Sequence, residues 1–283
     1  MEIGPGTTGI VIGGGGAIGR GTALGLASRG ANVVVADIEI YSATRVAEEL
    51  ESLGAAAIPV RVDATDRTSL AELADAAEAR FGSIDLLSNN VGVVQAASLL
   101  EATEEEWGWN IEFNLMSIVR ACSVIVPRIQ AHGRGGHVIN TASMAALWAA
   151  RPEEVSGVQL GLYTTTKHAV LGYTETLRND LAAENIGVSC LCPGTVESNL
   201  SATSLRNRPA RFGGPAEAPD SQGRVPFAMA QEAVTKYVLA AIEGNRNIAL
   251  THPGARPLVE RRAKALAADF DFFDAIAAEE GNA

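Results

Sequence analysis

Tyr163 and Lys167 lie four residues apart in Gly161-Leu162-Tyr163-Thr164-Thr165-Thr166-Lys167. On a helix that spacing puts both side chains on one face, one turn apart. An ammonium beside a phenol favours the phenolate and draws the tyrosine pKa from about 10 toward the working pH. A phenol so tuned can exchange a proton with an alcohol oxygen. The same spacing also occurs where a surface aromatic packs on a lysine stem. The pair therefore gains meaning only from what surrounds it.

A second group of residues suits a phosphate. Gly13-Gly14-Gly15-Gly16-Ala17-Ile18-Gly19 follows an apolar run directly and precedes a helical pattern. Glycines there let the backbone turn tightly and approach a pyrophosphate, while the helix behind them aims its N–H groups and positive dipole end at the anion. Asp37 ends the next apolar run, 18 residues after Gly19. A carboxylate in that place can accept the hydrogen bonds of an adenosine ribose and repel a 2′-phosphate. It could equally serve as a helix cap. No Lys or Arg follows Asp37 within the next few residues, so NAD is favoured over NADP.

These residues must be carried by alternating elements. Short apolar runs at 9–12, 31–36, 56–62, 85–88, 136–141, 188–191 and 247–250 read as strands buried on both faces. Helical patterns at 19–29, 42–53, 69–81, 104–132, 163–184 and 226–243 separate them. The alternation predicts an α/β fold, a doubly wound parallel sheet of seven strands with helices on both faces and right-handed crossovers, in a single domain. Three stretches break the pattern: 147–162, the long aperiodic 198–225, which suits a lid, and a C-terminal extension over 252–283. In that extension 255–268 reads as a basic helix, and 269–274 mixes phenylalanine with aspartate.

Composition narrows the class. The chain has 283 residues, 47% of them hydrophobic and 19% charged, as expected of a globular protein with a substantial core. A net charge of −11 argues against nucleic acid or an anionic membrane as a partner. No apolar run of spanning length and no secretory pattern is visible, so a cytoplasmic protein is expected. Cys122, Cys190 and Cys192 form no zinc-binding spacing, and neither do the four histidines; no metal is expected. Cys190 and Cys192 read as buried thiols on one face of a strand.

Taken in order, these motifs resemble the short-chain dehydrogenase/reductase family from Gly9 to about Leu250. Gly13, Ile18 and Gly19 match its glycine motif, with Ile12 standing where threonine is usual and Ala17 where glycine is usual. Asp63-Ala64 is similar to the pair that meets the adenine amino group. Asn89-Asn90-Val91-Gly92 resembles the segment that shapes the cofactor cleft, with Asn90 and Gly92 matched. Pro193-Gly194-Thr195-Val196-Glu197-Ser198 resembles the nicotinamide-holding loop, with Pro193, Gly194, Val196 and Ser198 matched. The resemblance implies a Rossmann-type fold and NAD held by these residues together with Gly16, Ala17, Asp37, Tyr163 and Lys167. It also implies a catalytic set. Asn114 would hold a proton-relay water, Ser143 would bond the substrate oxygen, Tyr163 would be the general acid/base, and Lys167 would lower its pKa and bond the nicotinamide ribose. His168, about 100° around the helix from Lys167, reads as structural.

Ser143 and Tyr163 are 20 residues apart, more than is usual in the family. The extra residues should lie over the active-site mouth. With Val93, Val94, Leu147, Trp148 and the lid, they suggest an apolar substrate pocket. The lid and tail resemble those of members that oxidise bulky aromatic secondary alcohols, including benzylic alcohols of lignin-derived aryl ethers. The family further implies a homodimer or homotetramer built on the helices over 104–132 and 163–184. Two other functions remain open: an epimerase or other enzyme on the same fold, and a non-catalytic NAD-binding regulator.

Overall fold

The computed structural model describes residues 1–155, 159–217 and 228–280. Seven parallel strands form one sheet: β1 (Thr8–Ile12), β2 (Asn32–Asp37), β3 (Ala57–Arg61), β4 (Leu86–Asn89), β5 (Gly136–Thr141), β6 (Ile186–Cys192) and β7 (Ile248–Leu250). Their spatial order is β3-β2-β1-β4-β5-β6-β7. The chain winds outward from β1 to β3, then returns to the other side of β1 at β4. That reversal leaves a crevice at the carboxyl ends of β1 and β4, where ligands of such sheets bind.

The strands form here because β-branched residues feed two cores at once. Ile10, Ile12 and Val34 pack into one apolar cluster with Leu70, Ile118 and Val138. Their neighbours Val11, Val33 and Val35 face the opposite cluster, with Leu26, Val46 and Val238. Alternation with a period of two thus survives inside runs that are apolar throughout.

The helices are α1 (Ala17–Ser28), α2 (Ile40–Ser52), α3 (Arg67–Phe81), α4 (Glu104–Ile111), α5 (Ser117–Ala131), α6 (Gly161–Asp180), α7 (Leu200–Arg206), α8 (Val234–Glu243) and α9 (Arg256–Glu280). The first three begin two residues before the expected starts at 19, 42 and 69. Those starts rested on side-chain patterns, which carry little information about the first turn.

Four expectations need correction. The helix expected over 104–132 is not continuous: a π-helical turn, Glu112–Met116, separates α4 from α5. The segment 198–225 is not wholly irregular, since it contains α7 and a 3₁₀ turn, Ala210–Phe212; its residues 218–225 lie outside the described residues. Helix α8 starts at Val234, after a 3₁₀ turn at Gln231–Ala233, and residues 226 and 227 of the expected helix also lie outside the described residues. The acidic–aromatic stretch 269–274 continues the basic helix before it, so that α9 runs for 25 residues.

Segment 200–214 is tied to the body at two places. Arg206 and Asn207 both donate to the Glu39 carboxylate, at 2.6 and 3.1 Å. Phe212 packs edge-on against Phe113, centroids 6.4 Å apart. The segment therefore bridges the loop behind Asp37 to the π-helical turn.

Candidate active site

The carboxyl end of β1 turns through Gly13, whose φ is +73°, a conformation open to glycine at little cost. A Cβ at Gly13 would come within 3.1 Å of the Asn90–Val91 peptide. The nearest neighbour to a Cβ at Gly19 would be the Gly13 carbonyl oxygen, at 2.1 Å. These two glycines let α1 start directly above the strand. Gly16 is the N-cap residue of α1 and no side chain caps that helix, so the amides of Ala17 and Ile18 begin a helix with its positive end toward the crevice. The arrangement fits an anion at the crevice, and Ala17 enters the helix without distorting it.

Asp37 sits beside this turn. Its two carboxylate oxygens accept the amides of Gly15 and Glu39, each at 3.0 Å. Burial pushes its pKa up, opposed by those two amides. Asp63, after β3, accepts the Thr65 amide and hydroxyl at 2.9 and 2.7 Å, with Ala64 buried next to it. Both acids thus line the carboxyl edge on the β2–β3 side, where an adenosine group of a dinucleotide would lie in such a fold.

The β4 end carries Asn90, whose side chain is wholly used in joining strands. It donates to the Ile12 and Ser88 carbonyls, at 3.1 and 3.3 Å, and accepts from the Thr141 hydroxyl at 2.8 Å. These bonds fix Asn90 at the floor of the crevice, where it is expected to meet the cofactor. A Cβ at Gly92 would stand 3.1 Å from Asn114 Oδ1 and 3.3 Å from Lys167 Nζ. The loop after β4 thus passes directly over both residues.

Asn114 is fully buried within the π-helical turn. Its Oδ1 accepts the Val93 amide at 2.7 Å and its Nδ2 donates to Thr166 Oγ1 at 3.0 Å. π-Turns inside helices occur often at functional sites, and this one joins the β4 loop to α6.

Ser143 follows β5 in extended backbone and its hydroxyl accepts the Ala145 amide at 3.1 Å. Tyr163 lies in the first turn of α6. Burial pushes the Tyr163 pKa above its ordinary value, and the Ser143 hydroxyl, bonded to the phenol, opposes that shift. Lys167 is almost fully buried, donates to the Thr141 carbonyl at 3.0 Å, and is lowered from 10.5 to about 8 by burial. Burial rather than Lys167 sets the direction of the Tyr163 shift here. The Lys167 ammonium sits over the Tyr163 ring, 5.6 Å from its centroid, and both groups have lost water, which disfavours both charged forms.

The loop after β6 completes the rim. Pro193 is buried, and the Gly194 amide faces Thr251 Oγ1 and His252 Nδ1, at 3.2 and 3.1 Å. A Cβ at Gly194 would meet the His252 ring at 2.7 Å. Val196 packs into the second core and bridges to Met229, so it shapes the loop from below, while Ser198 is exposed. Of the residues expected to line a substrate pocket, Val93 is buried, whereas Val94 and Trp148 are half-buried. Trp148 Nε1 is buried with no hydrogen-bond partner. Within the expected extra residues before Tyr163, 156–158 lie outside the described residues. His168 bonds the Thr164 carbonyl at 2.9 Å on its own helix. Cys190 and Cys192 are buried free thiols, their sulfurs 3.8 Å apart.

Sequence reasoning missed Thr141, Thr166 and His252. The carbonyl of Thr141 holds Lys167, Thr166 holds Asn114, and His252 backs Gly194. Thr166 could have been found as the neighbour of Lys167 on the inner face of the helix; the other two depend on pairings distant in sequence.

A parallel α/β sheet with a glycine turn at β1 and a Ser–Tyr–Lys–Asn cluster beside it defines the class of dinucleotide-binding oxidoreductase folds. Residues 7–209 match the family model for short chain dehydrogenases, and the chain belongs to that family. It is 29% identical over 264 residues to the C alpha-dehydrogenase of Sphingobium sp. strain SYK-6, covering 91% of this chain and 84% of that protein. It superposes with a TM-score of 0.83, at 29% identity, on a short chain dehydrogenase/reductase from Burkholderia phymatum solved in complex with NAD, covering 95% of this chain and 96% of the other. The "Probable oxidoreductase EphD" of Mycobacterium tuberculosis is 32% identical over 194 residues, 69% of this chain; the chain spans only about a third, 32%, of that protein's length. Among the described residues no helix is long and apolar enough to cross a membrane.

Proposed function

We propose that this chain transfers hydride between NAD(H) and a secondary alcohol or ketone, with Tyr163 as general acid/base. The observation that carries the reading is the convergence of Ser143, Tyr163, Lys167 and Asn114 beside the uncapped start of α1. Bound NAD would supply the hydride acceptor, and NADH the donor. Gly13, Gly19 and the Ala17 and Ile18 amides would hold its pyrophosphate, Asp37 its adenosine ribose, and Gly194 with its loop the nicotinamide end. Ser143 would orient the alcohol oxygen, Tyr163 would take its proton, and Lys167 would hold charge near the phenol. Placement of these groups, with water excluded, supplies the rate advantage, while the redox chemistry belongs to the cofactor.

The proposed substrate is bulky and aromatic or otherwise hydrophobic. Support comes from Leu147 and Trp148, four and five residues after Ser143, and from the likeness to the C alpha-dehydrogenase. A homodimer or homotetramer in the cytoplasm accords with the family resemblance. The test is Tyr163→Phe: NADH production from a panel of secondary alcohols should fall by at least a hundredfold while NAD still binds. Retained turnover would remove Tyr163 from the reaction. If small aliphatic alcohols are oxidised and bulky aryl alcohols are not, the substrate assignment fails.

A further inference from the structure

We propose that residues 263–273 of α9 pair antiparallel with the same segment of a second copy of this chain. The amino-terminal end of α9 is held to the body: Val259 packs against the first core, Arg261 pairs with Glu154, and Arg262 reaches the Leu147 carbonyl. Beyond Arg262 every described side chain through Glu279 is exposed. Among them are Leu266, Phe270 and Phe273, with Phe270 63% and Phe273 64% accessible. Large apolar side chains gathered on one protruding helix mark an interaction surface, and a helix without tertiary contacts gains little stability in water by itself.

Spacing and charge select the occupant. Ala263, Leu266, Phe270, Phe273 and Ala277 recur at alternating intervals of three and four, the stripe of a two-helix coiled coil. Arg256, Arg261, Arg262 and Lys264 occupy the first half of the helix, where Glu260 is matched by Arg256 at 3.9 Å, and Asp269, Asp271, Asp274 and Glu279 the second. A parallel pair would set like charges side by side. An antiparallel pair sets each basic half against the partner copy's acidic half, and its layers oppose unequal volumes: Ala263 to Phe273 and Leu266 to Phe270. Aspartates interleaved with the phenylalanines repel an anionic lipid surface. In this register the acidic end of one helix lies beside Arg261 and Arg262 of the other copy. It thus reaches the Leu147–Trp148 loop after Ser143.

The test uses two full-length variants, Ala263→Cys and Phe273→Cys, co-expressed with different tags and mildly oxidised. Residues 263 and 273 of opposite copies are adjacent in this register. Identical positions are ten residues out of step, about 15 Å along the axis and outside disulfide reach. The expected result is a disulfide dimer from the mixture and none from either variant alone. The native thiols are all buried, and the unsubstituted protein serves as the blank. Absence of the mixed disulfide overturns the proposal, as does self-linking of either variant as strong as that of the mixture, which would indicate parallel or random contact. Far-ultraviolet circular dichroism of each variant checks that the exposed substitutions leave the fold intact.

Discussion

Replacing Lys167 by methionine should abolish turnover and yet make the ligand-free protein more stable at neutral pH. Lys167 is 3% exposed, and burial lowers its pKa from 10.5 to about 8. That depression corresponds to roughly 3 kcal/mol held against the charged form in the folded state. Methionine removes the charge and keeps an unbranched stem of nearly the same length. It also removes the bond to the Thr141 carbonyl, worth about 1 kcal/mol. The net gain is about 2 kcal/mol at pH 7, an order-of-magnitude figure built from those two effects.

The sign fixes the pH window. Below about 8 lysine is protonated in both folded and unfolded chains, and the full cost is present. Between about 8 and 10.5 the folded state has released its proton while the unfolded chain retains it, so wild-type stability rises with pH. The variant has no such group, and the gap between the two proteins should nearly close by about pH 9.5. Urea unfolding midpoints of both proteins, without added NAD, at pH 7 and pH 9.5 provide the measurement. A variant no more stable than wild type at pH 7, or a gap equal at both pH values, refutes the reasoning.

Three further outcomes follow from the site. Gly19→Ala places a Cβ 2.1 Å from the Gly13 carbonyl, so NAD affinity by NADH fluorescence should fall at least about tenfold, or ~1.4 kcal/mol. Gly16→Ala, whose Cβ would have only the Gly13 oxygen at 3.4 Å, should change it little, and equal effects at the two positions would contradict the glycine-turn account. Asn114→Ala leaves the buried Val93 amide without its acceptor and should cost roughly 1–3 kcal/mol in urea unfolding, with turnover lost as well; a cost below about 0.5 kcal/mol would mean that the π-turn does not depend on this side chain. Asp37→Ser should lower the preference for NAD over NADP, read as the ratio of kcat/KM values, by at least about tenfold, and an unchanged ratio would move cofactor choice elsewhere.

The sheet was legible because each strand is an apolar run closed by turn residues, and the Ser143, Tyr163 and Lys167 positions follow from order along the chain. What escaped the sequence depends on contacts between distant residues. Asn114 looks like a poor helix former in the middle of a long helical pattern, but no side-chain period distinguishes a π-turn from a kink; the turn exists because Val93 and Thr166 hold the amide. The polarity of segment 198–225 concealed α7, whose docking depends on Glu39, more than 160 residues earlier. Helical spacing gives Tyr163 its lysine neighbour but not the loss of water, and burial is the largest influence on the phenol.

The lid contact with Glu39 connects two parts of the proposed reaction. Glu39 is two residues past Asp37 and donates its amide to that carboxylate, while its own carboxylate receives Arg206 and Asn207 from α7. The far end of the same segment presses Phe212 against Phe113, one residue before Asn114. On the proposed function, a shift of Asp37 on meeting a ribose would bear on one end of this segment, and a shift of the π-turn on the other. A lid with feet on both the adenosine end and the catalytic end is placed to seat fully only when both are in order. On the proposed function such a coupling would favour cofactor binding before substrate, because the ribose site would set one of the two supports on which the substrate cover rests.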